Sequence, residues 1–352
     1  MKKVIVGVSG GVDSSVAALL LKKQGYEVVG VTLKLASNVP GKKEAVEKEI
    51  KDAKTICERI GIKHIVLDFN DVFKEKVIDY FAREYMEGRT PNPCVACNKY
   101  VKFKTLIDYA KENNIDYVAT GHYCKIDKDK NTGRYFLRMA NSLEKDQTYM
   151  LYSLTQDQLK MLIMPLGEVK SKEEVRKIAE ENNLITARKK DSQEICFVSD
   201  NDYINFIKKN YNYKPEEGRF IDNQGNTIGK HKGIINYTIG QRKGLGITFG
   251  KPVYVTRINS KKNTVTLGNI EALYSQYLLC NNVNFMPFDD VDGEYRCKVK
   301  VRYASKPVDA VITKYTDEIY KVIFDEKQKS VTKGQAVVFY NGDILVGGGT
   351  II

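Results

Sequence analysis

Residues 3–15 read KVIVGVSGGVDSS, an apolar run, a glycine-rich turn and the start of an apolar helix. An unbroken apolar run, with no polar residue at every second position, suits a strand buried on both faces. A strand of that kind turning through Gly10-Gly11 into a helix opens a parallel sheet with crossover helices. The next two hundred residues repeat the pattern. Val4–Val8, Val28–Leu33, Ile65–Leu67 and Tyr117–Ala119 read as strands, and Ser15–Lys23, Glu44–Ile60, Val72–Tyr85 and Phe103–Lys111 as helices between them. This order predicts an α/β fold, a doubly wound parallel sheet whose ligands sit at the carboxyl ends of its strands.

After about residue 205 the texture changes. Gly218–Ile221, Val253–Ile258, Thr264–Leu267, Val299–Tyr303, Ala310–Ile312, Tyr320–Phe324 and Ala336–Tyr340 are short runs separated by turn signals such as DNQGN, SKKN and NGD. That pattern predicts two small antiparallel β-barrel domains. The expected division is 1–207, 208–272 and 273–352, in keeping with 352 residues at about 150 per domain.

Composition narrows the function classes. Hydrophobic residues make up 42% and charged residues 28%, which excludes collagen, coiled coil and bulk disorder. No apolar run is long enough to span a membrane, and the apolar start breaks at Gly10-Gly11 and Asp13, so a cytoplasmic protein is expected. The net charge of +12 points to a polyanionic partner. Residues 1–200 carry 34 basic and 29 acidic side chains, and residues 201–352 carry 22 and 15. The excess therefore leans toward the second half, as an RNA-handling appendage would.

The turn Gly7-Val8-Ser9-Gly10-Gly11-Val12-Asp13-Ser14-Ser15 suits a polyphosphate. Its glycines let the backbone come close, and the helix start offers free amides and the positive end of the helix dipole. Hydroxyls of Ser9, Ser14 and Ser15 add donors, and Asp13 is placed to hold Mg²⁺. The Gly-Lys-Ser/Thr ending of a Walker A loop and the Gly-x-Gly-x-x-Gly dinucleotide fingerprint are both missing. The string SGGVDSS resembles instead the PP-loop of the ATP pyrophosphatase superfamily. The resemblance implies ATP cleavage between the α and β phosphates, adenylation of a carbonyl oxygen, and displacement of AMP by a nucleophile.

Seven cysteines, an odd and scattered set, do not form a disulfide framework. In Gly88-Arg89-Thr90-Pro91-Asn92-Pro93-Cys94-Val95-Ala96-Cys97-Asn98-Lys99 two prolines stiffen a loop that delivers two thiols beside Arg89 and Lys99. Neighbouring cations and a helix start favour thiolate. A third thiol, Cys196, follows Arg188-Lys189-Lys190 and Asp191-Ser192-Gln193-Glu194, a segment able to swing it toward the loop. Cys57, Cys124, Cys280 and Cys297 lie in helix-like or strand-like texture and read as core filling, and His64 reads as structural. The loop Gln241-Arg242-Lys243-Gly244 is open to two readings, a solvated turn or a phosphate-backbone contact.

With GVSGGVDSS, GRTPNP, CNKYVKFK, ATGHY, KDQTYMLY, KKDSQEICF, GQRKGLGI, VRY and GQAVVFYNGDILVGGG in this order, the chain resembles the tRNA-specific 2-thiouridylases along almost its whole length. The resemblance implies ATP-dependent 2-thiolation of the wobble uridine of tRNA, with a sulfur-donor protein (a cysteine desulfurase or a relay) as second partner and no DNA or membrane. It implies Cys97 as catalytic cysteine, Cys196 as persulfide carrier, and Asp13 as a further catalytic residue. Gly7, Val8, Ser9, Gly10, Gly11, Val12, Asp13, Ser14, Leu33 and Gly121 fall on the ATP site. Asn92, Pro93 and Cys94 fall beside the target base, and His122, Lys145, Asp146, Gln147, Arg302, Tyr303 and Gln335 on tRNA contacts.

Many members of the family have Asp where this chain has Cys94, which leaves two accounts open. In one, a Cys196 persulfide attacks the adenylated uridine and Cys97 releases the product by forming a disulfide. In the other, Cys94, Cys97 and Cys196 ligate three irons of a 4Fe-4S cluster whose fourth iron carries sulfide. A zinc site would need a fourth ligand, for which His122 is available. Two other function classes compete with tRNA thiolation: a PP-loop ligase amidating a small metabolite, and a non-catalytic RNA-binding module.

Overall fold

The computed structural model describes residues 1–187, 189, 195–199, 202–247, 250 and 252–352. Arg188, Lys190 and the Asp191–Glu194 stretch expected to carry Cys196 across lie outside the described residues.

The first apolar runs become a parallel sheet. Its strands are β1 (Lys3–Gly7), β2 (Glu27–Lys34), β3 (Lys63–Asp68), β4 (Tyr117–Ala119) and, beyond a hairpin of β5 (Lys125–Lys128) and β6 (Tyr135–Arg138), β7 (Leu162–Ile163). The order is β3-β2-β1-β4-β7, and every pairing is parallel. Val4, Ile5 and Val6 are wholly buried because helices cover both faces of the central strand. Helix α1 (Val12–Lys23) and helix α2 (Lys43–Ile60) pack on one face, closing Val16, Ala17, Leu21, Ile56 and Cys57 against β1. Strand order reverses between β1 and β4, so the crevice for a ligand lies at their carboxyl ends. The fifth strand, β7, has only two residues and left no sequence signal.

The middle segment forms a four-stranded sheet, β8 (Gly218–Ile221), β9 (Thr227–His231), β10 (Tyr254–Asn259) and β11 (Thr264–Gly268), in the order β10-β11-β8-β9. One pairing, β8 with β11, runs parallel, and the others are antiparallel. Phe220, Val255, Val265 and Leu267 fill its core.

The last segment closes a barrel of six antiparallel strands: β12 (Tyr274–Phe285), β13 (Glu294–Lys300), β14 (Val308–Lys314), β15 (Tyr320–Lys329), β16 (Ala336–Asn341) and β17 (Ile344–Ile351). Pairing of β12 with both β15 and β17 completes the ring, which removes the open edges of the sheet. The hairpin β5–β6 joins the outside of β17, so the first segment contributes two strands to the barrel sheet. Val301–Tyr303, expected to extend a strand, instead forms the turn after β13, held by Ser305 accepting from the Arg302 amide at 3.3 Å. No helix of the described residues is long and apolar enough to cross a membrane.

Candidate active site

Three loops meet at the carboxyl end of the parallel sheet. The first follows β1. Gly10 has a φ of +70°, and a Cβ there would lie 2.9 Å from the Glu49 carbonyl oxygen, so the turn runs tight against α2. Gly11 then caps α1 with extended backbone and no side-chain cap, leaving the first amides of the helix free for an anion. The serines are committed unevenly. Ser15 is wholly buried and donates to the Gly11 carbonyl at 2.7 Å, so its hydroxyl is spent inside the loop, contrary to the expectation of a phosphate contact. Ser14 accepts from the Ser9 amide at 3.2 Å and donates to the same carbonyl at 3.2 Å, while Ser9 stays exposed.

Asp13 is held from behind. Both its oxygens accept from the Lys172 ammonium at 2.7 Å, and Oδ1 also accepts from the Tyr123 hydroxyl at 2.5 Å. Lys172 is 7% exposed, so this pair ties the first turn of α1 to the start of the helix Lys172–Glu181. In this arrangement Asp13 anchors the loop, and its carboxylate is already engaged by a cation where Mg²⁺ was expected.

The second loop follows β4. A Cβ on Gly121 would sit 2.7 Å from the Ser14 amide nitrogen, so only glycine allows this loop to lie on the phosphate turn. His122 comes next, its Nδ1 2.8 Å from Thr120 Oγ1 and its ring 5.5 Å from that of Phe103. Burial, with the Lys102 charge adding, pushes its imidazole down to about 3, so it is neutral near neutral pH. Leu33 is the next-to-last residue of β2 and half-buried, at the carboxyl end of that strand.

The third loop carries the thiols. Asn92 caps the short helix Pro93–Cys97 by accepting from the Val95 amide at 3.3 Å, with Pro93 at the first helical position. Cys94 and Cys97, three apart, share a face of that helix; Cys94 is exposed and Cys97 buried. Gln335 fastens the loop to the barrel by donating to the Thr90 and Pro91 carbonyls at 3.0 and 3.2 Å, and the Thr90 amide donates to Lys333 at 2.9 Å. Gln335 therefore acts on the thiol loop from inside the protein.

Lys102 is the residue that sequence reading passed over. The helix widens into a π turn at Asn98–Lys102, which brings Lys102 back over Cys97. Burial works to lower its ammonium, but the thiols of Cys97, Cys94 and Cys196 outweigh that and raise it above the usual lysine range. Burial raises the Cys97 thiol, and Lys102 opposes it through its charge and its backbone amide. Cys196 presents an exposed edge yet is packed closely enough that burial pushes its thiol up to about 12, with Cys97 adding and Lys102 opposing. The cations expected to serve the thiols are occupied elsewhere: Arg89 is bound to Glu84 at 2.6 Å and to Glu87, and Lys99 lies over the Tyr100 ring at 5.1 Å. Lys102 makes no ion pair among the described residues. Its charge acts both on the thiols and on the His122 imidazole.

Removal of that charge has a definite sign. Without Lys102 the Cys97 thiol rises further, so less of it is thiolate at neutral pH. Sulfur transfer by Lys102→Met is expected to fall about tenfold near pH 7.5 and to recover part of the loss near pH 9, because the thiolate fraction drops about tenfold for each pH unit by which the thiol rises. Single-turnover rates across pH check this; a flat loss at every pH would exclude the charge as the cause.

The segment before Cys196 reaches the phosphate turn: Lys189 donates to the Gly10 carbonyl at 3.0 Å and pairs with Asp52 at 2.9 Å. Behind Cys196, Phe197 and Val198 are buried against Phe73 and Phe81. Among the described residues no group of three or more His, Cys, Asp or Glu side chains is placed to hold a metal ion. The iron–sulfur and zinc readings therefore gain no support from the described residues.

The expected RNA contacts gather beside this center. The Tyr303 hydroxyl donates to the Asp146 carbonyl at 3.3 Å, bringing the Arg302-Tyr303 turn onto Lys145-Asp146-Gln147. Gln147 exchanges bonds with Tyr123, its amide donating to the Tyr123 carbonyl at 2.9 Å and its Oε1 accepting from the Tyr123 amide at 3.0 Å. Lys300, also unforeseen, lies 5.6 Å from the Tyr303 ring center and 5.7 Å from that of Tyr149. The Asp146 carboxyl is raised by burial and accepts from Thr148 at 2.5 Å, which fits a turn anchor.

The core cysteine readings hold: Cys57, Cys124, Cys280 and Cys297 are buried. His64 meets Thr32 Oγ1 at 2.8 Å, a structural contact between neighboring strands.

Comparison with known proteins adds to this geometry. Residues 2–200 match the family model described as a tRNA methyl transferase HUP domain, residues 204–269 a tRNA methyl transferase PRC-barrel domain, and residues 275–351 an aminomethyltransferase beta-barrel domain. The chain is 52% identical to the tRNA-specific 2-thiouridylase MnmA of Clostridioides difficile, covering 99% of this chain and 98% of that protein. It is 50% identical to the protein of the same name from Acetivibrio thermocellus, covering 99% of each.

Proposed function

The chain belongs to the tRNA-specific 2-thiouridylase family, and from that premise we propose that it thiolates the wobble uridine of tRNA through a persulfide on Cys196. It is an ATP-dependent tRNA sulfurtransferase. The observation that carries the persulfide reading is the buried Cys97 on the capped Pro93–Cys97 helix, with Lys102 one π turn on and the Cys196 thiol close enough to feel its charge.

ATP binds with its phosphates on the free amides of Gly11 through Ser14, which Asp13 and Lys172 hold in place. The uracil 2-oxygen attacks the α-phosphorus, pyrophosphate leaves, and the base carries AMP as a leaving group. For this the nucleotide leaves its stack and enters the space bounded by Asn92–Cys97 and His122. The neutral His122 offers the base a hydrogen bond without adding charge.

The terminal sulfur of the Cys196 persulfide then attacks C2, and AMP departs with the C2–O electron pair. The Cys97 thiolate, favored by Lys102, attacks the Sγ of Cys196, breaks the bond to the transferred sulfur, and leaves a Cys97–Cys196 disulfide with 2-thiouridine. The two thiols supply the two electrons that reduce the sulfane sulfur, and an external thiol resets them. A donor protein reloads Cys196, whose exposed edge permits access.

Pyrophosphate release should require tRNA, and digestion of the product should yield 2-thiouridine. Release driven by a small carboxylate without tRNA would overturn this reading in favor of an amidating ligase. Tight tRNA binding with no pyrophosphate release would instead indicate a binding module.

A further inference from the structure

The basic excess of the second half is not spread over it. Residues 201–272 hold twelve Lys and Arg against five Asp and Glu, a net of +7, whereas residues 273–352 hold ten of each. The middle sheet therefore carries the whole excess.

The two segments also treat their charges differently. In the barrel, Arg296 pairs with Asp325, Lys298 with Asp309 and Lys314 with Asp290. Among the described residues no Lys or Arg of the middle segment makes an ion pair, and all but Lys208 are exposed.

Strand register places these charges together. Arg219 on β8 lies directly opposite Lys230 on β9, and its other neighbor is Thr264 on β11. Residues paired across strands project from the same face, and like charges placed so repel one another. Phe220, next in sequence, faces the core and is wholly buried, so Arg219 and Lys230 stand on the outer face.

On β10 a bulge between Val255 and Arg257 shifts the pairing, so that Val255 stays buried while Arg257 pairs with Thr266 and turns outward. Without the bulge, Arg257 would share the inward face with Val255; bulges often re-aim a side chain in this way. Lys261 and Lys262 extend the row in the β10–β11 turn, both exposed. Repelling neighbors, a bulge that adds a third cation and the lack of carboxylate partners all work against the isolated domain. An anionic partner that binds the face would offset each of them.

We infer that the outer face of the middle sheet, formed by Arg219, Lys230 and Arg257 with Lys261 and Lys262 at its end, is a binding surface for the phosphate backbone of the tRNA substrate. It holds the RNA at a distance from the base under reaction, whereas the Asn92–Cys97 and Asp146–Tyr303 regions lie near that base. Contacts of this kind set affinity and position without reading sequence. The inference rests on the tRNA reading above.

The full-length triple variant Arg219→Gln/Lys230→Gln/Arg257→Gln tests it by titration with tRNA between about 0.1 and 0.3 M salt. Affinity is expected to fall at least about tenfold at the lower salt, and the slope of log K against log salt to become shallower by about 2–3, as loss of three phosphate contacts requires. A control, Arg296→Gln/Lys298→Gln/Lys314→Gln, removes as many cations from the barrel and should change the slope by less than about one. Since the triple variant relieves repulsion it should melt no lower than the parent; should it unfold, Lys261→Gln/Lys262→Gln gives the same readout with a shift of about 1–2. A slope equal to that of the parent, or an equal loss in the control, overturns the inference. If the parent itself neither binds nor thiolates tRNA, the failure belongs to the proposed function instead.

Discussion

Lys172→Met is expected to lower stability by about 1–3 kcal/mol and tRNA-dependent pyrophosphate release by about 100-fold. Lys172 is 7% exposed and meets both oxygens of Asp13, whose side chain is one-third exposed. Breaking a charged hydrogen-bonded pair leaves the partner's desolvation uncompensated, and the partial exposure of Asp13 keeps the cost below that of a fully buried pair. The effect on activity comes through geometry. Asp13 is the second residue of α1, and the Lys172 and Tyr123 bonds fix where the amides of that turn point. Once they drift by an ångström, the α-phosphorus no longer sits in line with the uracil oxygen.

A double variant separates anchoring from chemistry. Asp13→Asn on the Lys172→Met background removes the stranded charge and should regain about half of the lost stability without regaining activity. Calorimetry and pyrophosphate release, measured on the same samples, check both parts. If the double variant is no more stable than Lys172→Met alone, the pair is not what holds the loop.

Legibility followed the range of the interactions. The parallel sheet was readable because each strand is a local apolar run ending in its own turn chemistry, as at Val4–Val8 before Gly10-Gly11. The phosphate turn and Cys94–Cys97 were readable for the same reason, since short contiguous strings carry their geometry with them. What escaped depends on partners far along the chain. Lys172 pairs with Asp13 across 159 positions, and nothing near Lys172 marks it. Gln335 reaches Thr90 across 245 positions, so its place under the thiol loop was invisible even though its identity was noted. Lys102 was close in sequence, but an ordinary α-helix puts residues five apart on different faces, and only the π turn returns it to Cys97. The hairpin β5–β6 looked like part of the first segment because its pairing partner, β17, closes the chain. Arg89 misled in the opposite way: a cation beside Cys94 in sequence is bound to Glu84 in space.

The cysteine variants should divide the reaction into its steps. Cys196→Ser is expected to lose thiolation by about 1,000-fold or more while keeping tRNA-dependent pyrophosphate release, since adenylation needs no thiol. Cys97→Ser should do something different. The persulfide of Cys196 can still attack the adenylated base, but no thiolate remains to break the S–S bond behind it. A covalent adduct should therefore accumulate, with uridine C2 joined through the transferred sulfur to Cys196. The adduct should run as a shifted band on a denaturing gel and release thiolated tRNA on addition of an external thiol, which would also restore slow turnover. Cys94 takes no part in this sequence, and its exposed side chain makes replacement mild, so Cys94→Ala should keep thiolation within a few-fold of the parent. A cluster route reverses these expectations: it needs all three sulfurs equally, forms no adduct at Cys196, and fails with Cys94→Ala. The arrangement of the thiols favors the first set of outcomes. Lys102 acts most directly on the buried Cys97, the thiol that the persulfide route asks to attack, while Cys94 is exposed.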